Sequence, residues 1–229
     1  MSRFRRLVIT LSAVSILAFV SAPAHADTIT IVGVDSKQAS TATVVCEFNS
    51  QTNTLTFTIT NTSAITFPGS TSTITAIGFD LPPLGNASAS GLNGFTGSQA
   101  PSLGSSFAFS DADLGNVPHG FGSTVVLDFG FITGNSGNFQ SGQVNDGLTP
   151  GESASFTVSG AAFAGFTEEQ ICNAIFVRFQ NVPTGPGIGG EGSDVGVASA
   201  PIPEPSTMLL LGTALIGLGG VVRRRINRH

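Results

Sequence analysis

The sequence predicts an all-β protein, a two-sheet β-sandwich of the immunoglobulin-like or jelly-roll-like kind with one short helix. Threonine alternates with apolar residues in several short runs, most strictly at residues 54–60, where Leu, Phe and Ile fall at every second position. Gly, Pro and Asn separate these runs, as at residues 81–84 and 91–97. Many short strands between turns favour two packed sheets. The predicted strands are residues 28–34, 41–48, 54–60, 72–79, 105–109, 124–132, 153–158 and 174–180.

The one predicted helix begins just after Thr167. This threonine is a suitable N-cap, and Gln170 three residues later has the spacing of a capping box. Glu168 and Glu169 fall in the first turn, where the helix dipole favours negative charge. Because adjacent helical residues point about 100° apart, these two carboxylates would not face one bond as a catalytic pair. We therefore interpret them as residues that stabilise the helix.

Cys46 and Cys172 are the only cysteines in the sequence, and no C-x-x-C motif occurs. In an exported protein an even number of cysteines indicates a disulfide, which here would join the helical region to an early strand. The loop that this bond closes is long, so the loop-closure model gives it a stabilisation of about 4 kcal/mol.

The central part of the chain is strongly acidic. In the chain of 229 residues, the part from Asp27 to Asp194 includes thirteen acidic side chains and two basic ones, Lys37 and Arg178, for a net charge of −11. This charge repels nucleic acid and provides no attraction to anionic membrane surfaces, so neither is expected as a partner of the central domain. The chain has 18 Phe but neither Trp nor Tyr, so its core must be built on Phe.

Residues 1–26 have the three parts of a secretory signal peptide. Three arginines stand within the first six residues, and an apolar run follows at residues 7–20. This run suits a signal-peptide core and is short for a membrane span. Ala24 and Ala26 supply small side chains at the −3 and −1 positions for signal peptidase. Cleavage is predicted before Asp27, so that the rest of the chain is exported.

The C-terminal end has three further parts in a row. Pro203, Glu204 and Pro205 form a stiff extended segment, because proline fixes φ and moves its predecessor out of the α region. Residues 208–222 are an apolar run that we predict to be a transmembrane helix, marginally short for a full span. A cluster of arginines then holds the C-terminus in the cytoplasm, and its members are Arg223, Arg224 and Arg225.

This order of parts resembles a PEP-CTERM sorting signal, and the resemblance is limited to the C-terminal tail. Exosortases, which are membrane cysteine transpeptidases of Gram-negative bacteria, read signals of this family, and the family is associated with exopolysaccharide and biofilm production. The resemblance implies that Pro203, Glu204 and Pro205 are the recognition motif and that the arginine cluster is the cytoplasmic stop. It also implies a transient stage in the inner membrane, followed by location at the cell surface or outside the cell. Ectodomains that bear such a tail are diverse, so the tail does not identify the role of the central domain.

These observations divide the chain into five predicted segments. The signal peptide is followed by a β-sandwich ectodomain at 27–192, whose Gly-rich end at 183–192 is expected to be a loop. A linker at 193–202 leads to the sorting signal at 203–225, and residues 226–229 form a short cytoplasmic tail.

The central domain shows no convincing catalytic set. His119 is the one histidine that remains after both end segments are removed, and no G-x-S-x-G motif accompanies it. Residues 185–190 match G-x-G-x-x-G by letter, but no helix is predicted after them to bind a pyrophosphate. We therefore predict that this stretch is a loop.

Asp111 and Asp113 are weak candidates for a calcium site. Their carboxylates stand two residues apart, as at the start of a calcium loop, but Asn116 and Gly122 occupy positions where an EF-hand has Gly and Glu. The other interpretation of this stretch is a solvated turn. We expect no cofactor, with Ca²⁺ as the alternative, and the further candidate ligands are Asn145, Asp146, Glu191 and Asp194.

The prediction from the whole sequence is a non-enzymatic protein with a structural or adhesive role linked to exopolysaccharide or biofilm. A threonine-rich sheet face and Gly-rich loops suit that role. The alternative is a glycan-binding module assisted by Ca²⁺, in which only Phe would be available to stack on a sugar. A hydrolase is a third hypothesis. The expected partners are signal peptidase, an exosortase-type enzyme, exopolysaccharide and, before processing, the membrane.

Overall fold

Ten antiparallel strands form one continuous sheet in the computed structural model. The structure describes residues 27–64, 72–81, 94–101, 104–112, 114–118, 121, 125–134, 137–183 and 192–198. The strands are β1 (Asp27–Gly33), β2 (Lys37–Asn49), β3 (Thr54–Asn61), β4 (Thr73–Phe79), β5 (Phe95–Gln99), β6 (Phe107–Ser110), β7 (Phe129–Thr133), β8 (Ser153–Gly160), β9 (Ile175–Gln180) and β10 (Ser193–Ala198). One short helix, α1 (Glu168–Cys172), lies between β8 and β9, and single 3₁₀ turns occur at Val144–Asp146 and Ala161–Phe163.

The strand order across the sheet is β5-β8-β3-β2-β1-β10-β9-β4-β7-β6. The prediction of an all-β protein with one short helix is confirmed, but the prediction of two separate sheets is wrong. We call β5-β8-β3-β2-β1 and β10-β9-β4-β7-β6 the two halves of the sheet. Strand β10 pairs with β1 on one side and with β9 on the other, and it thereby joins the two halves into one hydrogen-bonded sheet. The predicted linker at 193–202 is correspondingly wrong at 193–198, where the chain forms this central strand.

Strands β5 and β10 both contain glycine where another strand or ring approaches closely. A Cβ on Gly97 of β5 would lie 2.1 Å from Cδ2 of Phe109, and one on Gly196 of β10 would lie 2.6 Å from Cγ2 of Ile31. Glycine and small polar residues weaken the local strand signal, which is why the sequence predicted a turn at 91–97 and a linker after 192. Tertiary pairing overrides that local preference.

A cluster of phenylalanine rings fills the space inside the curled sheet. The ring of Phe57 on β3 stacks on Phe156 of β8 at a centroid distance of 5.1 Å. The same ring contacts Phe79 on β4 at 5.3 Å and Phe131 on β7 at 5.9 Å, both edge to face. All four side chains are buried. Burial contributes about 1.5–3 kcal/mol for each ring, so this cluster holds the two halves of the sheet against each other.

A second apolar cluster covers the outer face of one half of the sheet. Every residue of β4 and β7 is buried, because the inner face of these strands meets the phenylalanine core and the outer face meets this second cluster. The members of the second cluster come from β4, β7, β10 and the chain between β6 and β8, and the buried ones are Ala76, Leu114, Val117, Leu127, Ile132, Phe139 and Val195.

Helix α1 is fixed at both ends. The capping box predicted from the sequence is present, since Gln170 N donates to Thr167 Oγ1 at 3.3 Å and Thr167 N donates to Gln170 Oε1 at 2.9 Å. Cys172 at the last helical position forms the predicted disulfide with Cys46 on β2, with the two Cα atoms 6.1 Å apart. The disulfide and the cap together attach the helix to the early strands.

The Gln99 side chain links β5 and β6, the two strands at the ends of the strand order. Gln99 of β5 accepts a hydrogen bond from Phe107 N of β6 at 2.8 Å through Oε1. Its Nε2 donates to Ser105 Oγ at 3.0 Å and lies 3.3 Å from Ser105 O. An amide side chain thus replaces a backbone ladder where the sheet closes on itself.

Removal of the disulfide is predicted to destabilise the protein strongly. The bond spans 126 residues, so a Cys46→Ala/Cys172→Ala double variant should lose about 2–5 kcal/mol of unfolding free energy. Urea denaturation of the oxidised protein, the reduced protein and the variant measures this loss. A variant as stable as the oxidised protein would show that the bond does not constrain the unfolded chain.

Loss of the Gln99 side chain is predicted to weaken the closure between β5 and β6. Gln99→Ala leaves Phe107 N without this acceptor, and we expect a cost of about 1–2 kcal/mol in unfolding free energy. Gln99→Glu keeps the acceptor and loses the donor, so it should be less costly at neutral pH. Gln51→Ala, in the exposed β2–β3 turn, is the control and should have little effect.

Candidate functional site

The outer face of β1, β2, β3, β8 and β5 is lined by hydroxyl groups. Alternate residues of a strand lie on the same face, and the registers of these five strands align such residues in four rows. We call this surface the hydroxyl array. Its rows are Thr30-Thr43-Thr60-Ser153, Thr28-Val45-Thr58-Ser155, Glu47-Thr56-Thr157-Ser98 and Asn49-Thr54-Ser159-Thr96.

The hydroxyl array is accessible to solvent, since each of its members is exposed or half-buried. Neighbouring strands bond through their hydroxyls: Thr58 Oγ1 and Ser155 Oγ are 2.7 Å apart, and Thr60 Oγ1 and Ser153 Oγ are 2.8 Å apart. Only Glu47 carries a formal charge among the residues of the array. The array is therefore an ordered, nearly uncharged surface of hydrogen-bonding groups.

The same strands provide the opposite, buried face. In β3 the residues between the threonines are Leu55, Phe57 and Ile59, and all three are buried in the core. Period-two alternation in the sequence thus predicted which residues face outward on this strand. It did not predict the rows, because a row depends on how five strands that are distant in sequence are aligned.

Two carboxylates that sequence reasoning missed lie beyond the paired ends of β4 and β7. Phe79 and Phe129 are register partners, so the adjacent Asp80 and Asp128 leave neighbouring strands at the same end of the sheet. Asp128 Oδ2 accepts a hydrogen bond from Leu81 N at 2.7 Å. A signal was present in the sequence, since each Asp adjoins a Phe at the edge of an apolar run.

Burial changes the acidity of both groups. It raises the pKa of Asp128 from 3.8 to about 6; the hydrogen bond from Leu81 opposes this rise and the charge of Asp80 adds to it. Burial also raises the pKa of Asp80. The pair is consequently the part of the described structure with the clearest response to pH.

Asp194 has a structural role at the opposite end of the sheet. Its buried carboxylate accepts hydrogen bonds from Ser36 N at 2.8 Å, Val195 N at 2.7 Å and Asp35 N at 3.2 Å, and the Ser36 hydroxyl donates to it as well. The carboxylate thus organises the turn between β1 and β2. Asp194 is also a candidate calcium ligand; in the structure its oxygens accept these hydrogen bonds, and a role as a ligand stays a prediction.

Arg178 is buried beneath the second apolar cluster. Its guanidinium Nη1 donates to Phe139 O at 3.3 Å, and with the Gln180 amide oriented to satisfy both groups, Nη2 donates to Gln180 Oε1 at 3.2 Å. Within the described parts of the chain the Nε atom has no hydrogen-bond partner, and burial lowers the pKa of the group. No carboxylate among the described residues is paired with Arg178, so its charge is met by carbonyl oxygens alone.

The candidate metal and catalytic residues of the sequence are only partly within the described structure. Asp111 is half-buried just after β6, whereas Asp113 and His119 lie outside the described residues. Glu168 accepts a hydrogen bond from Phe48 N at 2.8 Å, in agreement with a structural role. In the described part of the chain no three His, Cys, Asp or Glu side chains gather into a group that would hold a metal ion.

The pH dependence of stability is predicted to change in an Asp128→Asn variant. Because the folded-state pKa lies above the ordinary value of 3.8, this group stabilises the fold at low pH, and the contribution is lost as pH rises through about 6. After allowance for solvent screening, we expect the variant to be more stable than the parent by roughly 1 kcal/mol at neutral pH. The amide oxygen can still accept from Leu81 N.

Thermal unfolding of both proteins between about pH 4 and pH 7 measures this difference. Glu169→Gln removes one negative charge from an exposed position on α1 and is the matched control. Equal pH profiles for the parent and Asp128→Asn would contradict a perturbed carboxyl at this position.

The segments that the sequence assigned to export and sorting lie outside the described residues. These are the cleavage residues Ala24 and Ala26 and the sorting residues Pro203, Glu204, Pro205, Arg223, Arg224 and Arg225, and the signal peptide and transmembrane helix remain predictions. Asp27, after the predicted cleavage position, is the first residue of β1. Across the residues that the structure does describe, none of the helices has the length and apolar character to cross a membrane.

Comparisons with curated proteins and with solved structures gave no match for this chain. A family model, however, matches the same C-terminal segment that three consecutive sequence features identified. That motif implies export, sorting to the cell surface and processing by an exosortase-type enzyme. Residues 201–225 match the PEP-CTERM protein-sorting motif, so the tail of this chain carries that motif.

Proposed function

We propose that this protein is a non-enzymatic component of the cell surface or extracellular matrix, with an adhesive or structural role in a layer that contains exopolysaccharide. The observation that carries the proposal is the PEP-CTERM motif at 201–225, because it implies export and sorting to the cell surface. Signal peptidase, which would remove residues 1–26, and an exosortase-type enzyme would act in sequence on the two ends of the chain. The transmembrane helix would hold the chain in the inner membrane between these steps.

The architecture of the domain supports an adhesive role. The hydroxyl array offers many weak hydrogen bonds on one open surface, which is suited to contact with a hydrated polymer. The outer face of the other half is covered by the second apolar cluster, so the two halves differ in what they offer to a partner. The disulfide between Cys46 and Cys172 is appropriate to an oxidising location outside the cytoplasm.

The use of the acidic residues supports a non-enzymatic role. Asp194, Glu168 and Asp128 each accept backbone hydrogen bonds that fix a turn, a helix or a strand end. A catalytic carboxylate would instead direct its oxygens at a substrate. We propose that no cofactor is needed.

The second candidate function is a glycan-binding module assisted by Ca²⁺. The net charge of −11 between Asp27 and Asp194 favours it, together with the half-buried position of Asp111 directly after β6. The two candidates are separated by glycan binding with and without EGTA. Binding that is lost in EGTA and restored by Ca²⁺ would favour the second.

Processing at both ends is the prediction that tests the proposed function. Intact-mass analysis of the protein from each fraction of its own host should give termini at Asp27 and close to Pro203–Pro205 in the surface or secreted fraction. Extra mass on the new C-terminus would identify an attached group. An intact His229 in the membrane fraction would mean a plain anchored protein and would contradict the proposal.

A substitution of the motif sharpens this test. Glu204→Ala combined with Pro203→Ala and Pro205→Ala should leave most of the protein in the membrane fraction with its C-terminus intact. Pro101→Ala, an exposed proline of the folded domain, is the matched control and should be processed as the parent is. Normal processing of the triple variant would show that the enzyme does not read these residues.

A further inference from the structure

The hydroxyl array differs from an ordinary solvated sheet face in its order and composition. Every position of its four rows is Ser or Thr except Val45, Glu47 and Asn49. Adjacent strands lie about 4.8 Å apart, and same-face residues repeat about every 6.8 Å along a strand. Hydroxyl groups therefore recur in two directions at the spacing of the sheet itself.

Four hydroxyls in the middle of the array are oriented before any partner arrives. Thr58 pairs with Ser155 and Thr60 pairs with Ser153, so each of these groups already makes one hydrogen bond to its neighbour. A hydroxyl has one donor and two acceptor sites, so capacity on the outward side remains after this lateral bond. Because the side chains are already held in place, a ligand would order few additional rotamers on binding.

The charge of the array limits the class of ligand. Lys37 and Arg178, the two basic residues between Asp27 and Asp194, do not belong to its rows. The surface has one carboxylate, Glu47, and lies on a domain of net charge −11. An anionic polymer would be repelled by the net charge of the domain and would find no cation within these four rows.

The size of the array argues against a second copy of the chain as the occupant. From the strand geometry, its sixteen positions cover roughly 500 Å². A stable protein interface buries about 800 Å² on each partner around an apolar centre. Val45, 43% exposed, is the one apolar side chain in these rows, and Val32, 39% exposed, adjoins the first row on the same face of β1, so the exposed apolar side chains are single rather than a central patch. The area and the polarity fit a chain of sugar rings better than a protein.

We infer that the hydroxyl array is a binding surface for an uncharged polysaccharide, which contacts the rows by hydrogen bonds without aromatic stacking. The inference rests on the proposed function, and it names the class of ligand that the hydroxyl array would bind in that function. Each sugar contributes little, so strong retention requires a polymer that contacts several rows at once. Short oligosaccharides bind more weakly than the polymer for the same reason.

Affinity electrophoresis of the purified full-length protein tests this inference, with dextran and hydroxyethyl cellulose as neutral probes and alginate as the anionic one. The variant is Thr58→Val with Ser155→Ala, which removes a bonded pair so that neither partner is left unsatisfied. The expected result is retardation of the parent by at least one neutral glucan and not by alginate. The double variant should bind that glucan about tenfold more weakly.

Two further variants protect the test against misinterpretation. Thr149→Val removes an exposed hydroxyl in a turn outside the array and should bind as the parent does. Thr60→Val with Ser153→Ala removes the neighbouring pair and should also weaken binding, which keeps the test decisive if the first double variant unfolds. Circular dichroism and thermal unfolding verify that each variant keeps the fold.

Three results would overturn the inference. These are a parent protein that no neutral glucan retards, a parent that alginate retards more strongly, or folded double variants that bind as the parent does. The proposed function fails separately, through an intact C-terminus in the membrane fraction. A protein that is processed and kept in the matrix yet ignores neutral glucans would leave the proposed function standing and remove this inference.

Discussion

The contact of Phe57 with rings from both halves of the sheet is the interaction on which the rest of the structure depends. Phe57 stacks on Phe156 within its own half and meets Phe79 and Phe131 from the other half. Without these ring contacts the ten strands would form an open sheet whose apolar face is exposed to water. The buried apolar area that stabilises the fold would then be lost. The chain has no Trp or Tyr, so these contacts are made by Phe rings, which have no polar atom that needs a hydrogen-bond partner when buried.

Because these rings point into the core, the alternate residues of the same strands point outward and form the hydroxyl array. When β3 directs Phe57 and Ile59 inward, Thr58 and Thr60 must point outward, and the registers with β2 and β8 place further hydroxyls beside them. The other half of the sheet has no comparable surface, because the second apolar cluster covers β4 and β7. The domain therefore has one open polar side, and it is this asymmetry that gives an adhesive role a definite place on the molecule.

Charge in this domain is used mainly to repel and to fix local structure. Asp194 organises the β1–β2 turn at one end of the sheet, and Asp128 accepts a hydrogen bond from Leu81 N at the other. Neither basic residue of the central region is a member of the four rows of the hydroxyl array, and Arg178 is buried. Such a distribution repels other negative surfaces, so the proposed adhesive role would depend on hydrogen bonding.

Local patterns were sufficient for the features that depend on neighbouring residues. The alternation at 54–60 identified β3, the Thr167 and Gln170 spacing identified the cap of α1, and the order of parts at 201–225 identified the sorting motif. Tertiary structure decided what depends on residues far apart in sequence. Strand β10 could not be recognised from its own six residues, because its place between β1 and β9 comes from hydrogen bonds to strands on either side. The joining of two expected sheets into one, and the alignment of hydroxyls in rows, follow from that pairing. The register of a strand depends on the strands that pair with it, so it cannot be predicted from the sequence of that strand alone.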